Sequence, residues 1–110
     1  MNTYKFKSRY GTEYEIAFER TGYVYGGLAV EAYDKDEEYG WEPYGTLTVN
    51  LGGFCPTNQA YLDTNNLPDL AEFVLDMGWA EVINEGQSGW CTYPLVEFTD
   101  EFLNEICVSE

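Results

Sequence analysis

Small polar side chains are densest between residues 61 and 78, where the chain reads YLDTNNLPDLAEFVLDMG. Oxygen ligands at this density are what a calcium-binding loop needs. The EF-hand pattern also requires an oxygen ligand at its fifth position and glycine at its sixth. A loop that starts at Asp63 has Leu67 and Pro68 there, so the calcium-loop interpretation fails. The cluster itself consists of Asp63, Thr64, Asn65, Asn66 and Asp69.

The same segment fits the start of an α-helix that ends before Gly78. Pro68 is tolerated only in a first helical turn, and Asp69 suits the positive end of the helix dipole. Asn66 is placed to cap the helix through its side chain. We favour this cap-and-turn interpretation over a binding site, which stays the alternative. The apolar positions at helical spacing are Leu70, Phe73, Val74 and Met77.

Side chains for other chemistry are scarce, because the chain contains no histidine. This removes the side chain best suited to proton transfer at neutral pH, together with Ser-His and Cys-His nucleophile systems. Cys55, Cys91 and Cys107 are scattered and cannot complete a tetrahedral zinc site on their own. Neighbouring carboxylates can hydrolyse glycosides, but twenty acids bring some pairs together by chance. We therefore expect no enzymatic activity, no cofactor and no metal site.

The charge of the chain is strongly negative and uneven. Twenty acidic residues against five basic ones give a net charge of −15. Residues 1–20 hold four bases and three acids, whereas residues 21–110 hold one base and 17 acids. Such a surface repels nucleic acid and anionic membranes and attracts basic proteins. The sequence therefore predicts a basic protein partner, with nucleic-acid-binding enzymes as one class, and no direct binding to nucleic acid or membrane.

The acidic residues are most concentrated in the stretch DKDEEYGWEP, residues 34–43. We expect an exposed, long connection between strands at 26–34 and 44–52. Aromatic rings among carboxylates suit a partner rich in Arg or Lys, through ion pairs and cation–π contacts. Ordinary packing of loop aromatics, which also include Tyr23, Tyr25, Tyr44 and Trp90, stays open as the simpler interpretation. The predicted partner-binding residues are Asp34, Asp36, Glu37, Glu38, Tyr39, Trp41 and Glu42.

The first basic residues alternate with apolar ones in TYKFKSR, and glutamates alternate in EYEIAFE. This period of two predicts a hairpin whose turn is Tyr10-Gly11-Thr12. Cross-strand ion pairs then explain the basic residues better than a nucleic-acid patch, which stays the alternative. The predicted cross-strand pairs are Arg9 with Glu13, Lys7 with Glu15, Phe6 with Ile16 and Tyr4 with Phe18.

The remaining elements complete an α+β pattern over a single domain, residues 1–110. We predict strands at 59–62 and 91–98, a loop at 84–90, and a short final helix capped by Thr99. Pro94 inside a strand indicates an edge or a bulge. The predicted fold is an antiparallel β-sheet with one or two α-helices packed on one face.

The compartment is predicted from what the sequence lacks. No apolar run approaches the roughly 20 residues that span a bilayer, and the basic start has no apolar signal region. Three cysteines are odd in number and show no paired spacing. These features favour a reducing cytoplasm.

Three blocks of sequence carry a resemblance: YGGLAVEAYD…PYGTLTVNL, AYLDTNNLPDLAEFV and GQSGWCTYPLVEF. Together, over roughly residues 24–98, they resemble a small family of unknown function found on bacterial conjugative elements and phages. The resemblance implies a mobile-element setting in a bacterial cytoplasm, and it implies no catalytic residues. Small acidic proteins on such elements include inhibitors of host defence of the anti-CRISPR and anti-restriction classes.

These observations predict a non-enzymatic acidic binding protein of mobile-element type. Its sharpest version is a nucleic-acid mimic that fills the basic groove of a host defence nuclease with carboxylates in place of phosphates. The alternative is an accessory protein of conjugation or element maintenance that self-associates through an exposed strand edge. In that case its acidity serves solubility only.

Overall fold

The computed structural model of the protein describes residues 2–23, 27–52 and 56–108, without the side chains of residues 107 and 108. The α+β prediction is confirmed, and the strands are divided between two sheets. Tyr25 and Cys55 lie outside the described residues.

The first sheet contains the strands of the amino-terminal half, in the order β1-β2-β3-β4, each antiparallel to its neighbour. The short last strand of the chain, β9, runs parallel to the second half of β2. The bounds are β1 Tyr4–Lys7, β2 Glu13–Gly22, β3 Leu28–Asp36, β4 Gly40–Thr46 and β9 Cys107–Val108.

The second sheet has the order β5-β6-β8-β7 and is antiparallel throughout. Leu47 joins the two sheets, because its N–H donates to the carbonyl of Val30 and its own carbonyl accepts from Asp63. The bounds are β5 Thr48–Val49, β6 Gln59–Leu62, α1 Pro68–Asp76, β7 Ala80–Ser88, β8 Cys91–Phe98 and α2 Asp100–Glu105.

Aromatic rings fill the space between the sheets and the helices. Trp79 lies at their centre, with its ring centroid 4.6 Å from Tyr4 and 5.1 Å from Phe102. Phe102 in turn packs on Phe18 and Phe98 at 5.4 Å each. Such pairs add about 0.5–1.5 kcal/mol each beyond the burial of their area. These ring contacts pack the first sheet against the second sheet and α2.

The register of the first hairpin differs from the predicted one by two residues. Tyr4 pairs with Ile16 and Phe6 pairs with Tyr14, so the connection spans five residues, 8–12. The predicted alternation of faces is preserved, and Phe6 is buried as expected. The register shifts because Arg9 leaves the strand to bind Asp69 at the start of α1, a contact between residues far apart in sequence.

The predicted loop at residues 84–90 is wrong, because β7 extends through it to Ser88. Only Gly89 and Trp90 form the turn to β8. Gly89 has φ of +61° and Trp90 does not have a positive φ, which matches a type II′ turn with glycine first. Pro94 faces Glu85 of β7, beyond the last residue of β8 that pairs with β6. The proline thus lies where β8 is bonded on one side, in agreement with the edge prediction.

Both helices lie where the sequence predicts them. Thr99 caps α2, since its hydroxyl accepts from the N–H of Phe102 at 3.1 Å. Pro68 begins α1, and Gly78 follows it with φ of +75°. No helix in the described part of the chain is long and apolar enough to cross a bilayer. Cys91 is a free, half-buried thiol.

Candidate partner-binding surface

The acidic stretch forms the end of a tight hairpin, not the long connection that the sequence predicted. Strands β3 and β4 continue through it, so only residues 37–39 make the turn. We call residues 34–42 the hairpin tip. Its paired positions are Asp34 with Glu42, Lys35 with Trp41 and Asp36 with Gly40. Strand pairing therefore holds these side chains in fixed positions at the edge of the first sheet.

Asp36 closes the turn of the hairpin tip. Its Oδ1 accepts from the N–H groups of Glu38 at 2.7 Å and Tyr39 at 2.9 Å. Gly40 ends the turn with φ of +81°, a conformation that favours glycine. Asp at the start and glycine at the end of DEEYG are the turn signals that sequence analysis passed over. Among the predicted partner-binding carboxylates, Asp36 therefore stabilises the turn.

The predicted partner-binding residues are divided between the two faces of the hairpin and its turn. Residues that pair across antiparallel strands share a face. Asp34 and Glu42 therefore lie on one face, and Trp41 lies on the other beside Lys35. The structure does not bring all seven predicted residues onto one flat surface.

Lys35 is occupied on the Trp41 face. Its Nζ lies 3.9 Å from a carboxylate oxygen of Glu15 and 6.0 Å from the centroid of the Trp41 ring. The single basic residue of the hairpin tip is thus directed away from the Asp34 and Glu42 face. On the Asp34 and Glu42 face, the strand pairing of β3 with β4 places one carboxylate opposite another and no Lys or Arg beside them.

The turn is the most accessible part of the hairpin tip. The Tyr39 side chain is 72% exposed and Trp41 is 39% exposed. Glu37, Glu38 and Glu42 are exposed as well, whereas Asp34 and Asp36 are half-buried. Exposed carboxylates and an exposed aromatic ring can form ion pairs and a cation–π contact with Arg or Lys.

The net charge is distributed unevenly along the chain. Residues 1–35 contain all five bases and five acids, so they are neutral. Residues 36–110 contain 15 acids and no base, so the whole net charge arises there. The hairpin tip lies at the boundary between these two parts.

The basic residues of the first sheet make different contacts from the predicted ones. Lys7 lies opposite Glu13, and Lys5 lies opposite Glu15. Arg20 donates to the carbonyl of Leu103 at 3.3 Å. The predicted pairing of Arg9 with Glu13 is wrong, because the Arg9 guanidinium and backbone N–H both bind Asp69.

The polar cluster at residues 63–69 is organised by Asp63, which is 9% exposed. Its carboxylate accepts from the backbone N–H of Asn66 at 3.1 Å and from the Asn66 side chain at 2.8 Å. The predicted cap is wrong: Leu67 is the N-cap residue of α1, and no side chain caps it. Asn66 is instead the donor to an aspartate three residues earlier, and this side-chain-to-backbone bond shapes the turn that leads into the helix. Asp63 thus has the role in the turn that the cap-and-turn interpretation expected, whereas the predicted cap is absent.

An open cleft of about 410 Å³ lies between the first turn and α1. Arg9 and Asp69 bridge it, and Tyr14 and Tyr44 line its floor with ring centroids 5.0 Å apart. The backbone N–H of Arg9 donates to Asp69 and lowers the pKa of that carboxyl, and the guanidinium adds to the effect. Burial raises the pKa of Tyr44. Sequence analysis did not find this cleft because Arg9 and Asp69 are 60 positions apart.

Within residues 2–23, 27–52 and 56–108, no three Asp, Glu or Cys side chains come together in a way that could hold a metal ion.

A family model described as a domain of unknown function, DUF4313, matches residues 17–110. The chain belongs to the DUF4313 family. The DUF4313 match contains the hairpin tip, the Asp63 turn and both helices, and it begins inside β2. Strand β1 and Arg9 lie outside it. No curated protein and no solved structure shows a significant match to the chain.

The family assignment confirms that the chain resembles a family of unknown function, over a longer range than the three blocks that indicated it. The description assigns no activity to DUF4313 domains, so it transfers no functional residue to this chain.

Proposed function

We propose that this DUF4313 protein is a non-enzymatic binding protein that engages a basic protein partner through the hairpin tip. The observation that carries the proposal is the turn itself. It presents the exposed side chains of Glu37 and Glu38 together with Tyr39, which is 72% exposed, and Glu42 is exposed on the strand that follows. Strand pairing and the Asp36 hydrogen bonds order this surface before a partner arrives, so less conformational entropy is lost on binding.

The sharper form of the proposal is a nucleic-acid mimic in the cytoplasm of a bacterium, encoded on a mobile element. Its partner is a host defence nuclease of the kind that anti-CRISPR or anti-restriction proteins inhibit. Carboxylates of the hairpin tip take the place of phosphates in a basic groove, and Tyr39 supplies an apolar anchor. The net charge of −15 speeds encounter with such a groove at low ionic strength.

The first experiment is a pull-down of tagged protein from a bacterial host lysate at low and at high salt, read by mass spectrometry. The test variant carries Glu37→Gln, Glu38→Gln and Glu42→Gln. The control variant carries Glu72→Gln, Asp76→Asn and Glu101→Gln, which removes the same charge from exposed helix positions. We expect a nucleic-acid-binding enzyme with the wild type and the control at low salt, and its loss with the test variant or at high salt.

Two outcomes would count against the proposal. Equal loss of the partner with both variants would mean that net charge, not the hairpin tip, attracts it, and no loss with either would mean that the hairpin-tip carboxylates do not bind it. Recovery of nothing would favour the accessory role in conjugation or element maintenance, with acidity as a solubility device. For the sharper form, duplex DNA must displace the protein from the captured enzyme in competition.

A further inference from the structure

Strand β7 is the outer strand of the second sheet. It is nine residues long, and in the described part of the chain it pairs only with β8. Its side chains include two large aliphatic groups in contact with water, Val82 at 50% exposure and Ile83 at 45%. The turn that follows ends in Trp90, which is fully exposed. An edge strand of this length with exposed apolar side chains is a template for pairing with another chain.

The register between β7 and β8 shifts between Val82 and Asn84, which leaves Ile83 in a bulge between the paired residues 80–82 and 84–88. The charge of the edge acts against a second copy of the same chain. Glu81 and Glu85 add negative charge to the strand. Residues 36–110 contain no base at all, so the second sheet of one copy offers no cation to the second sheet of another. Charge therefore disfavours a dimer formed by two β7 edges.

The same charges favour a basic occupant. Glu81 lies directly opposite Glu97 on β8, and like charges at opposed positions destabilise a sheet. Gln59 Nε2 lies 3.4 Å from a carboxylate oxygen of Glu97, a neutral donor that leaves the charge uncompensated. A Lys or Arg side chain on a strand added beside β7 would lie next to Glu81 and relieve this repulsion.

We propose that the β7 edge binds an extended, Lys- or Arg-rich segment of a partner protein by strand addition. The backbone of the segment pairs with β7, a basic side chain lies beside Glu81, and Val82 and Ile83 contact its apolar residues. This surface is separate from the hairpin tip and goes beyond the proposed function, because it stands whether or not the hairpin tip binds a partner.

The probe is a fluorescent nine-residue peptide of alternating lysine and valine, titrated with the full chain at physiological ionic strength. A matched peptide is N-methylated at alternate residues, which keeps its charge and removes backbone donors. We expect the N-methylated peptide to bind at least roughly tenfold more weakly, because strand addition depends on main-chain hydrogen bonds. Equal affinity of the two peptides would overturn strand addition and leave only general attraction to an acidic protein.

Two charge reversals locate the site. Glu81→Lys should weaken binding by roughly tenfold, because it replaces attraction by repulsion beside the added strand. Glu101→Lys, which makes the same change in net charge on exposed α2, should have a much smaller effect. Equal losses would overturn the assignment to β7. The Glu37, Glu38 and Glu42 variant should bind the peptide no more weakly than the charge-matched Glu72, Asp76 and Glu101 variant does, so failure here and failure of the proposed function are distinguishable.

A second copy as the occupant is tested by sedimentation across a range of protein concentrations. We expect no dimer that depends on β7. A dimer in the wild type that is lost in Val82→Lys would overturn the proposal in favour of self-association.

Discussion

Residues 63–69 and residues 34–42 are both short acidic segments, but they use their carboxylates in opposite ways. In the first, Asp63 is 9% exposed and both its oxygens accept hydrogen bonds from Asn66. In the second, Glu37, Glu38 and Glu42 are exposed. The first segment has two carboxylates in seven residues and the second has five in nine. Both are candidate sites by composition, so composition alone does not separate a structural turn from a binding surface.

The hydrogen bonds of each carboxylate do separate them. A carboxylate that accepts from backbone N–H groups stabilises its own turn, and its oxygens are less available to a partner. Asp36 shows that the distinction holds residue by residue, because it makes such bonds within the hairpin tip. The hairpin tip thus has one carboxylate that shapes the turn and three around it that are exposed.

The largest effect is expected from Asp63→Ala. The substitution leaves the backbone N–H of Asn66 without its acceptor in a partly buried position. We expect the free energy of unfolding to fall by about 1–3 kcal/mol. Urea unfolding followed by circular dichroism measures this change.

The control for Asp63 is Asn65→Ala, which removes an exposed side chain from the same cluster. It should change stability by less than about 0.5 kcal/mol. If both variants unfolded alike, Asp63 would not be the residue that organises the turn, and the contrast with the hairpin tip would be lost.

A smaller effect is expected from Asp36→Ala. Its two hydrogen bonds to Glu38 and Tyr39 are lost, but water reaches the exposed N–H groups. We expect a loss of about 0.5–1.5 kcal/mol, and less than about 0.5 kcal/mol for the neighbouring control Glu37→Ala. Thermal unfolding of both variants gives the comparison. Equal stabilities would place Asp36 with the free carboxylates of the hairpin tip.

The periodicity of apolar residues in the sequence predicts the strands and helices that bury one face. Strands β6 and β8 lie at the predicted residues, and α2 has the predicted Thr99 cap. Strand β7 was missed because nearly all its side chains are exposed, so it shows no alternation of apolar and polar residues. The acidic half of the β3–β4 hairpin is also exposed and shows no such alternation, so the sequence predicts a loop there.

Long-range contacts account for the other differences. The first register depends on Arg9 reaching Asp69, and no local pattern encodes that choice. The two sheets are joined at Leu47, whose backbone bonds to Val30 on one side and Asp63 on the other, and no local pattern predicts these two contacts. The residues of the candidate surface were identified from composition, but their division between two faces required the strand pairing.

The smallest effect on stability is expected from removing the charge of Asp69, whose carboxylate forms an ion pair with Arg9. The N–H of Arg9 lowers the pKa of this carboxyl in the folded state, with the guanidinium adding to it. A lowered pKa stabilises the fold above the unfolded value, near 3.9, and this contribution is lost as pH falls through the folded pKa. Asp69→Asn should therefore be less stable than the wild type at pH 7, with a difference that shrinks below about pH 4.

Urea midpoints of the wild type and Asp69→Asn at neutral and acidic pH measure this difference. The Arg9 side chain is half exposed, so added salt should reduce the difference as well. The control is Asp76→Asn, which removes a carboxylate from the opposite end of α1, where negative charge opposes the helix dipole, and it should not destabilise the protein. A difference between wild type and Asp69→Asn that stayed constant with pH would mean that the Arg9 contact contributes no charge-dependent stability. Asp69 would then belong with the free carboxylates of the hairpin tip, and only Asp63 would set the first segment apart.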